Sequence, residues 1–318
     1  MTVRIVEFAR AKVNLGLAVI GRRPNGYHEL RSVFLRIGLA DRLSGSTDEP
    51  LNGDRLAIDG DEDCPVQGNT VLRAVKLLRA FHFPLREMSA PLPTLDLRLQ
   101  KRVPIAAGLG GGSSDGAAAI SLAMALWSVT LAERDVVTLS AQLGADVPFF
   151  MAGYPAALVS GIGEEIEPLD AVAGEPGLLL VTPIERLSTA AVFAEFDRRP
   201  AAPDASHAVD EFSAAFRSGL DAASLAGWAL RLRDANDLWA PAVRLLPSLE
   251  LLRGELERAL DRPFLLSGSG STLFALYASL GEAQEAAGRL SSTGLQQLAG
   301  AHVFATGTEL RQDAGRMQ

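Results

Sequence analysis

The stretch Pro104-Ile105-Ala106-Ala107-Gly108-Leu109-Gly110-Gly111-Gly112-Ser113-Ser114-Asp115 decides how the rest of this chain is read. Four of the five residues from 108 to 112 are glycine, which removes the Cβ atoms that keep a backbone away from a ligand. An Ala-rich segment with strong helix propensity, Ala117 to Leu126, comes next. A glycine loop that opens a helix turns successive N–H groups and the positive end of the helix dipole toward an anion. Ser113 and Ser114 add hydroxyls that can cap the helix or meet a phosphate. A methyl group at Gly111 is expected to intrude where phosphate oxygens would sit. The run is neither a Walker loop, since no Gly-Lys-Ser/Thr closes it, nor the dinucleotide pattern G-x-G-x-x-G. One competing pattern is Gly112-Ser113-Ser114-Asp115-Gly116, which matches the nucleophile elbow of α/β-hydrolases and would make Ser114 a nucleophile. That chemistry needs a downstream histidine, and only His207 and His302 follow, neither in a recognisable context.

Around this loop the chain reads as an enzyme of ordinary composition. Its 318 residues suit two domains, and 48% apolar with 21% charged residues is the balance of a globular protein. A net charge of −8 repels phosphodiester backbones, and no basic patch compensates, so no nucleic-acid partner is expected. Cys64 stands alone, which excludes a disulfide framework and a cysteine metal cluster. No signal-like or membrane-length apolar run is found, so a soluble, cytoplasmic protein without a membrane partner is expected. Only three of the 30 basic residues are lysine, namely Lys12, Lys76 and Lys101. Where Arg has taken every generic charge, a surviving lysine is a candidate for a job the guanidinium cannot do. Lys76 sits in an amphipathic helical pattern and carries no such weight.

Alternation predicts strands over residues 3–20 and Leu95–Leu99, and further strands are read at Val33–Leu39, Ala156–Val159, Phe264–Ser267 and Leu273–Tyr277, with a buried strand at Leu178–Val181. Helices are predicted from Thr70, over Ala117–Leu126, Asp135–Leu143 and Glu282–Leu290, and between residue 212 and the strand at 264. Gly144-Ala145-Asp146-Val147-Pro148 is read as the end of a helix. Pro168–Pro176 is read as a linker and Arg199–Ala208 as an exposed loop. The architecture expected is α+β in two domains, 1–158 and 159–318.

The motifs resemble those of the GHMP kinases. Their central pattern, Pro-x-x-x-Gly-Leu-Gly-x-x-Ser-Ser, is met by Pro104 through Ser114, and their C-terminal glycine turn resembles Ser267-Gly268-Ser269-Gly270-Ser271-Thr272-Leu273-Phe274. Ala11-Lys12-Val13-Asn14-Leu15, Asn25-Gly26-Tyr27-His28-Glu29-Leu30, Leu143-Gly144-Ala145-Asp146-Val147-Pro148-Phe149-Phe150 and Asn236-Asp237-Leu238 narrow the resemblance to those members that phosphorylate the 2-hydroxyl of a cytidine-diphosphate methylerythritol in non-mevalonate isoprenoid synthesis. The resemblance implies a domain like the second domain of ribosomal protein S5, a ferredoxin-like C-terminal domain and an active site in the cleft between them. Two departures stand out. Gly116 replaces the usual Ala and is expected to weaken the helix start by up to ~1 kcal/mol. Trp239 replaces the usual Glu, so no site is drawn from residues 236–238.

By resemblance, Lys12 and Asp146 are the catalytic pair. ATP is held by Pro104, Ala107, Gly108, Leu109, Gly110, Gly111, Gly112, Ser113 and Ser114, with Asn69 at the adenine and Lys101 on the nucleotide side. Asn14 holds the substrate near the reacting hydroxyl, Tyr27 and Phe193 sandwich the cytosine, His28 reads it and Thr189 lines the same pocket. Read from residue type alone, Asn69 is a helix N-cap, Phe193 a core aromatic and Asp146 a turn residue. Lys12 is anomalous on any reading, because a cation on an apolar strand is costly unless paired. Mg2+ is expected with ATP, and the sequence shows no dedicated carboxylate cage for it. A monomer or weak homodimer is expected. Alternatives are a homoserine or mevalonate kinase of the same superfamily, the hydrolase, or a non-catalytic RNA-binding role for the S5-like fold.

Overall fold

The computed structural model describes residues 4–47, 53–82, 92–198 and 205–308. In chain order the elements are β1 (Ile5–Arg22), β2 (His28–Ser46), β3 (Arg55–Asp59), α1 (Thr70–His82), β4 (Asp96–Gln100), α2 (Gly111–Trp127), α3 (Glu133–Leu143) and α4 (Val147–Ala152). They continue with β5 (Ala156–Gly161), β6 (Glu165–Leu169), β7 (Gly177–Thr182), α5 (Thr189–Arg198), α6 (Ser206–Arg217), α7 (Ala222–Gly227), α8 (Ala229–Leu232) and α9 (Trp239–Leu245). The last are α10 (Ser248–Leu260), β8 (Leu265–Leu266), β9 (Leu273–Tyr277), α11 (Leu280–Ser292) and β10 (His302–Gly307). The chain packs into two compact units that do not follow a single cut. The first takes Met1–Ala11, Leu39–Ile105 and Gly110–Gly153, and the second takes Lys12–Gly38, Ala106–Leu109 and Tyr154–Gln318.

In the first unit, β4 pairs antiparallel with the far half of β2, from Arg42↔Gln100 to Ser46↔Asp96, and parallel with β3. Helix α1 buries Val71, Ala74, Val75 and Leu78, the stripe that its spacing predicts, and leaves Lys76 exposed. Helix α2 begins at Gly111, six residues before the Ala-rich run, so part of the glycine run is helix rather than loop. Gly116 is not merely a weak point in that helix. A Cβ there would lie 2.7 Å from Leu143 Cδ2 and 2.8 Å from Thr70 Cγ2, so glycine is what lets α2 approach α1 and α3. The 144–148 segment ends α3 and at once starts α4, with Pro148 in the first turn, where its missing N–H costs nothing.

In the second unit, the near half of β2 pairs antiparallel with β5 from Leu30↔Gly161 to Leu35↔Ala156, and β5 pairs with β6. Pro168 therefore belongs to β6 rather than to a linker, and it is accommodated because β6 is an edge strand. A separate antiparallel sheet runs in the order β10-β7-β9-β8. All six residues of β7 are buried, and Leu179 and Val181 pack with Leu252 and Leu256 of α10 and Ala283 and Ala286 of α11. Of the loop expected at 199–208, residues 199–204 lie outside the described residues. Ser206–Ala208 open α6, which buries Val209, Phe212, Ser213 and Phe216 at helical spacing.

Candidate functional site

Lys12 and Asn14 stand two apart on β1, and so on one face of the strand. Lys12 is only 3% exposed. Its Nζ donates to Asn14 Oδ1 at 2.6 Å and to the carbonyl of Gly108 at 3.1 Å, and lies 4.6 Å from the centre of the Phe34 ring. These contacts answer the cost of a cation among apolar neighbours. Asn14 in turn donates through Nδ2 to Ser32 Oγ at 2.9 Å, and Ser32 donates to the carbonyl of Gly16 at 2.6 Å. The lysine is thus held by a relay that fixes which way the Asn14 amide points.

The segment Ala106–Leu109 belongs to the same unit as Lys12. Gly108 has φ +78°, and a Cβ on it would lie 2.0 Å from the carbonyl oxygen of Ser267. Ser267 Oγ donates to Gly108 O at 2.9 Å, and Thr272 N donates to Ala107 O at 3.2 Å. The two glycine turns singled out in the sequence are therefore bonded to each other at backbone range. Residues 236–237, from which the sequence yielded no site, fasten this arrangement. Asn236 Nδ2 donates to Leu266 O at 3.1 Å and Gly268 O at 2.9 Å, while its Oδ1 accepts from Leu238 N at 2.9 Å. The Asp237 carboxylate accepts from Val19 N at 2.8 Å and Ala205 N at 3.1 Å. The only local signal was the adjacent polar pair Asn236-Asp237 directly ahead of the apolar stretch Leu238-Trp239-Ala240-Pro241-Ala242-Val243, a placement that asks for buried partners.

In the first unit, Gly110 has φ +69° and stands at the N-cap of α2. No side chain caps that helix end, and no acid lies in its first turn. Ser114 is buried in the first turn, its N–H bonded to Gly110 O at 2.9 Å. It is a helix residue, not the exposed tip of an elbow, and His207 is 84% exposed on α6. The expectation for Gly111 needs correcting. Its Cβ would meet Val103 Cγ1 at 2.9 Å and Lys101 Nζ at 3.6 Å, so a methyl would press into the protein. Asn69 caps α1, its Oδ1 accepting from Val71 N at 2.9 Å and its Nδ2 donating to Pro65 O at 3.0 Å. Asp146 is half-buried at the N-cap of α4, and a Cβ on the neighbouring Gly144 would stand 3.8 Å from Ser113 Oγ.

Lys101 is buried between two carboxylates. Its Nζ donates to Asp41 Oδ2 and, at 2.8 Å, to Asp115 Oδ2. Asp41 Oδ1 also accepts from the backbone N–H groups of Arg102 and Val103, whereas Asp115 Oδ1 has no partner among the described residues. Burial pushes the Asp115 carboxyl up to about 7, with Lys101 opposing and Asp41 adding to the rise. For Lys101, burial favours the neutral amine, but Asp115 and Asp41 outweigh it and hold the ammonium above its ordinary range.

The family models for the GHMP kinases N terminal domain and the GHMP kinases C terminal domain match residues 69–154 and 221–296. A 4-diphosphocytidyl-2-C-methyl-D-erythritol kinase of Pelotomaculum thermopropionicum is 37% identical over 296 residues, covering 92% of this chain and 96% of that protein. The crystal structure of a 4-(cytidine 5'-diphospho)-2C-methyl-D-erythritol kinase superposes with a TM-score of 0.69 at 32% identity, over 96% of this chain and all of that one. This chain belongs to the 4-diphosphocytidyl-2-C-methyl-D-erythritol kinases, a branch of the GHMP kinases. The homoserine kinase of Cytophaga hutchinsonii shares the fold, with a TM-score of 0.68 over 96% of this chain and 95% of that one, but at 16% identity. Among the described residues no helix is long and apolar enough to cross a membrane.

In this GHMP kinase the residues assigned to the base by resemblance fall within the second unit. The His28 ring stacks on Phe193 with centroids 4.7 Å apart and planes at 20°, and meets Phe196 edge-on at 6.0 Å. Thr189 and Phe193 are four residues apart on α5 and share a face, and Thr189 Oγ1 lies 3.0 Å from Ser269 Oγ. Tyr27 is 60% exposed at the turn before β2, immediately preceding His28 in the chain.

Proposed function

We propose that this kinase transfers the γ-phosphoryl group of ATP to the 2-hydroxyl of 4-diphosphocytidyl-2-C-methyl-D-erythritol, a step of non-mevalonate isoprenoid synthesis, in the cytoplasm. The observation that carries the reading is the buried Lys12 ammonium, hydrogen-bonded to the carbonyl of Gly108 inside the glycine loop. Phosphoryl transfer asks a protein for positioning and charge stabilisation rather than covalent chemistry. A lysine locked by Asn14 and the loop supplies a fixed positive charge for the transferring group. Asp146 is assigned the proton of the attacking hydroxyl, and Lys12 the charge that balances it. Asn14 orients the polyol.

ATP fits the loop. The left-handed Gly108 and Gly110 and the side-chain-free N-terminus of α2 leave backbone donors for phosphate oxygens. Pro104, Ala107 and the run from Gly108 to Ser114 are assigned to ATP, with Asn69 and Lys101 on the nucleotide side. Among the described residues no three His, Cys, Asp or Glu side chains gather as a metal cage. Mg2+ enters this reading on the phosphates of ATP, with water completing its shell. Tyr27, His28, Phe193 and Thr189 are assigned to the cytosine. The domain division is placed near 158, which is supported by family matches that end at 154 and resume at 221. A monomer or weak homodimer is the assigned assembly.

A coupled ADP-release assay tests the function. Turnover is expected with the cytidine-diphosphate methylerythritol and not with homoserine or mevalonate. Turnover of either competitor in preference to the cytidylyl compound overturns it.

A further inference from the structure

Asp197 is absent from every role assigned above, yet it is built against the histidine that reads the base. It lies four residues beyond Phe193 on α5, so Thr189, Phe193 and Asp197 form one stripe of that helix. Phe193 supplies the ring on which His28 stacks, and Asp197 Oδ1 stands 2.7 Å from His28 Nε2. The other carboxylate oxygen, Oδ2, is 3.2 Å from Arg22 Nη1, and Arg22 Nε donates to the carbonyl of Gly26 at 3.3 Å. Asp197 is thereby fixed at both oxygens. The imidazole is held on its face by Phe193, on its edge by Phe196, and at one nitrogen by a carboxylate.

This geometry sets the ring's hydrogen-bonding pattern. An ionised carboxylate only accepts, so His28 Nε2 must carry the proton and donate. A neutral imidazole has one N–H, which leaves Nδ1 with a lone pair as the remaining polar atom of the ring. A lone pair accepts from the exocyclic amino group of cytosine and repels the carbonyl that uracil carries at the same place. We propose that Asp197 is a positioning residue that holds His28 with its proton on Nε2, so that Nδ1 selects an amino-bearing pyrimidine over an oxo-bearing one. The selection half of this inference rests on the assignment of His28 to the base; the proton placement does not.

The informative variant is Asp197→Asn. Arg22 donates, so it draws the amide oxygen to itself and turns the amide nitrogen toward His28. The amide N–H then donates to Nε2, which must become the acceptor, and the ring proton moves to Nδ1. One side chain that differs by O for NH2 inverts the ring. Two readouts follow. Nitrogen-15 NMR of the substrate-free protein at pH 8, with the His28 signals identified by their loss in His28→Gln, is expected to show the Nε2–H tautomer in the wild type and the Nδ1–H tautomer in Asp197→Asn. Steady-state kinetics with the cytidine- and uridine-diphosphate forms of the methylerythritol substrate are expected to show a cytosine preference in kcat/KM of on the order of 10² or more in the wild type. In Asp197→Asn that preference should collapse through KM of the cytidylyl form, with kcat and the KM for ATP nearly unmoved. Asp197→Glu should restore both signatures in part.

A wild-type ring protonated on Nδ1, or a tautomer and base preference that Asp197→Asn leaves unchanged, overturns the proposal. The NMR readout needs no substrate and stands apart from the function. Wild-type enzyme that phosphorylates neither nucleotide form would overturn the assigned reaction, while tautomer inversion in the variant would still establish Asp197 as the group that places the His28 proton.

Discussion

Lys101→Met keeps most of the side chain's volume and removes the ammonium that Asp41 and Asp115 share. Deleting one partner of a buried ion pair costs about 3–5 kcal/mol, because a buried charge is left uncompensated. Asp41 keeps the N–H groups of Arg102 and Val103, so the burden falls on Asp115, whose Oδ1 has no partner among the described residues. Its carboxyl is already pushed up to about 7 by burial, against Lys101 and with the help of Asp41. Without the lysine it takes up a proton near neutrality, at roughly 1.4 kcal/mol per pH unit, which places the loss toward the low end of that range. About 3 kcal/mol, at roughly 2–4 °C per kcal/mol, gives a fall in Tm of about 6–12 °C at pH 8. The sign with pH follows from the raised value. Because the folded Asp115 holds a proton that the unfolded chain has released, its contribution is complete below about pH 4 and is lost as pH rises through about 7. The Lys101→Met deficit should therefore be smaller at pH 5 than at pH 8. Asp115→Asn should lose less stability than the wild type between those two values. Scanning calorimetry of the three proteins at both pH values is the assay. A Tm change below ~2 °C at pH 8, or a larger deficit at pH 5, would refute the reasoning.

Three further changes probe the site. His28→Ala should raise KM for the cytidylyl substrate and leave that for ATP nearly unchanged; the reverse pattern in steady-state kinetics means the base pocket is misassigned. Lys12→Arg keeps the charge but breaks the fit to Asn14 and Gly108, so kcat should fall on the order of 10² or more with a modest change in substrate affinity. Near wild-type kcat would make Lys12 a generic charge. Gly108→Ala asks an L-residue to hold φ +78° with its methyl 2.0 Å from the Ser267 carbonyl, so calorimetry should show a Tm fall of several degrees and titration a loss of ATP binding. An unchanged Tm would mean that the two glycine turns do not press together.

The sequence disclosed the parts of this molecule whose physics is local. Period-two and period-3.6 patterns placed β4, α1 and α11 to within a few residues, because each buries one repeating face, and the apolar runs at β1 and β9 were legible because those strands are buried on both faces over much or all of their length. The scarcity of lysine also proved informative, since Lys12 and Lys101 are both buried while Lys76 is exposed. What stayed hidden is non-local. No spacing tells that Asp41 and Asp115, 74 residues apart in number (115 − 41), share one ammonium. Nothing near Gly111 or Gly116 announces that Val103 and Leu143 close off the space beside them. The five-residue β3 and β6 escaped notice because their exposed, charged residues mask so short an alternation. Nothing in the sequence marks Asp197, and only the fold puts it beside a histidine 169 residues away.

The interleaving of the chain also has a temporal side. Residues Leu30–Leu35 of β2 find their partners in β5, at residues 156–161, so this strand leaves the ribosome long before its neighbour does. At about 5–20 residues per second the wait is roughly 6–25 s, during which a stretch rich in Val, Phe and Leu presents an unpaired edge. The contacts of the Asn236 amide and Ser267 hydroxyl that secure the loop around Gly108 come later still. A chain cut short anywhere before residue 267 lacks the hydroxyl that anchors that loop at the Gly108 carbonyl, so the loop takes its final form only once most of the chain has been made.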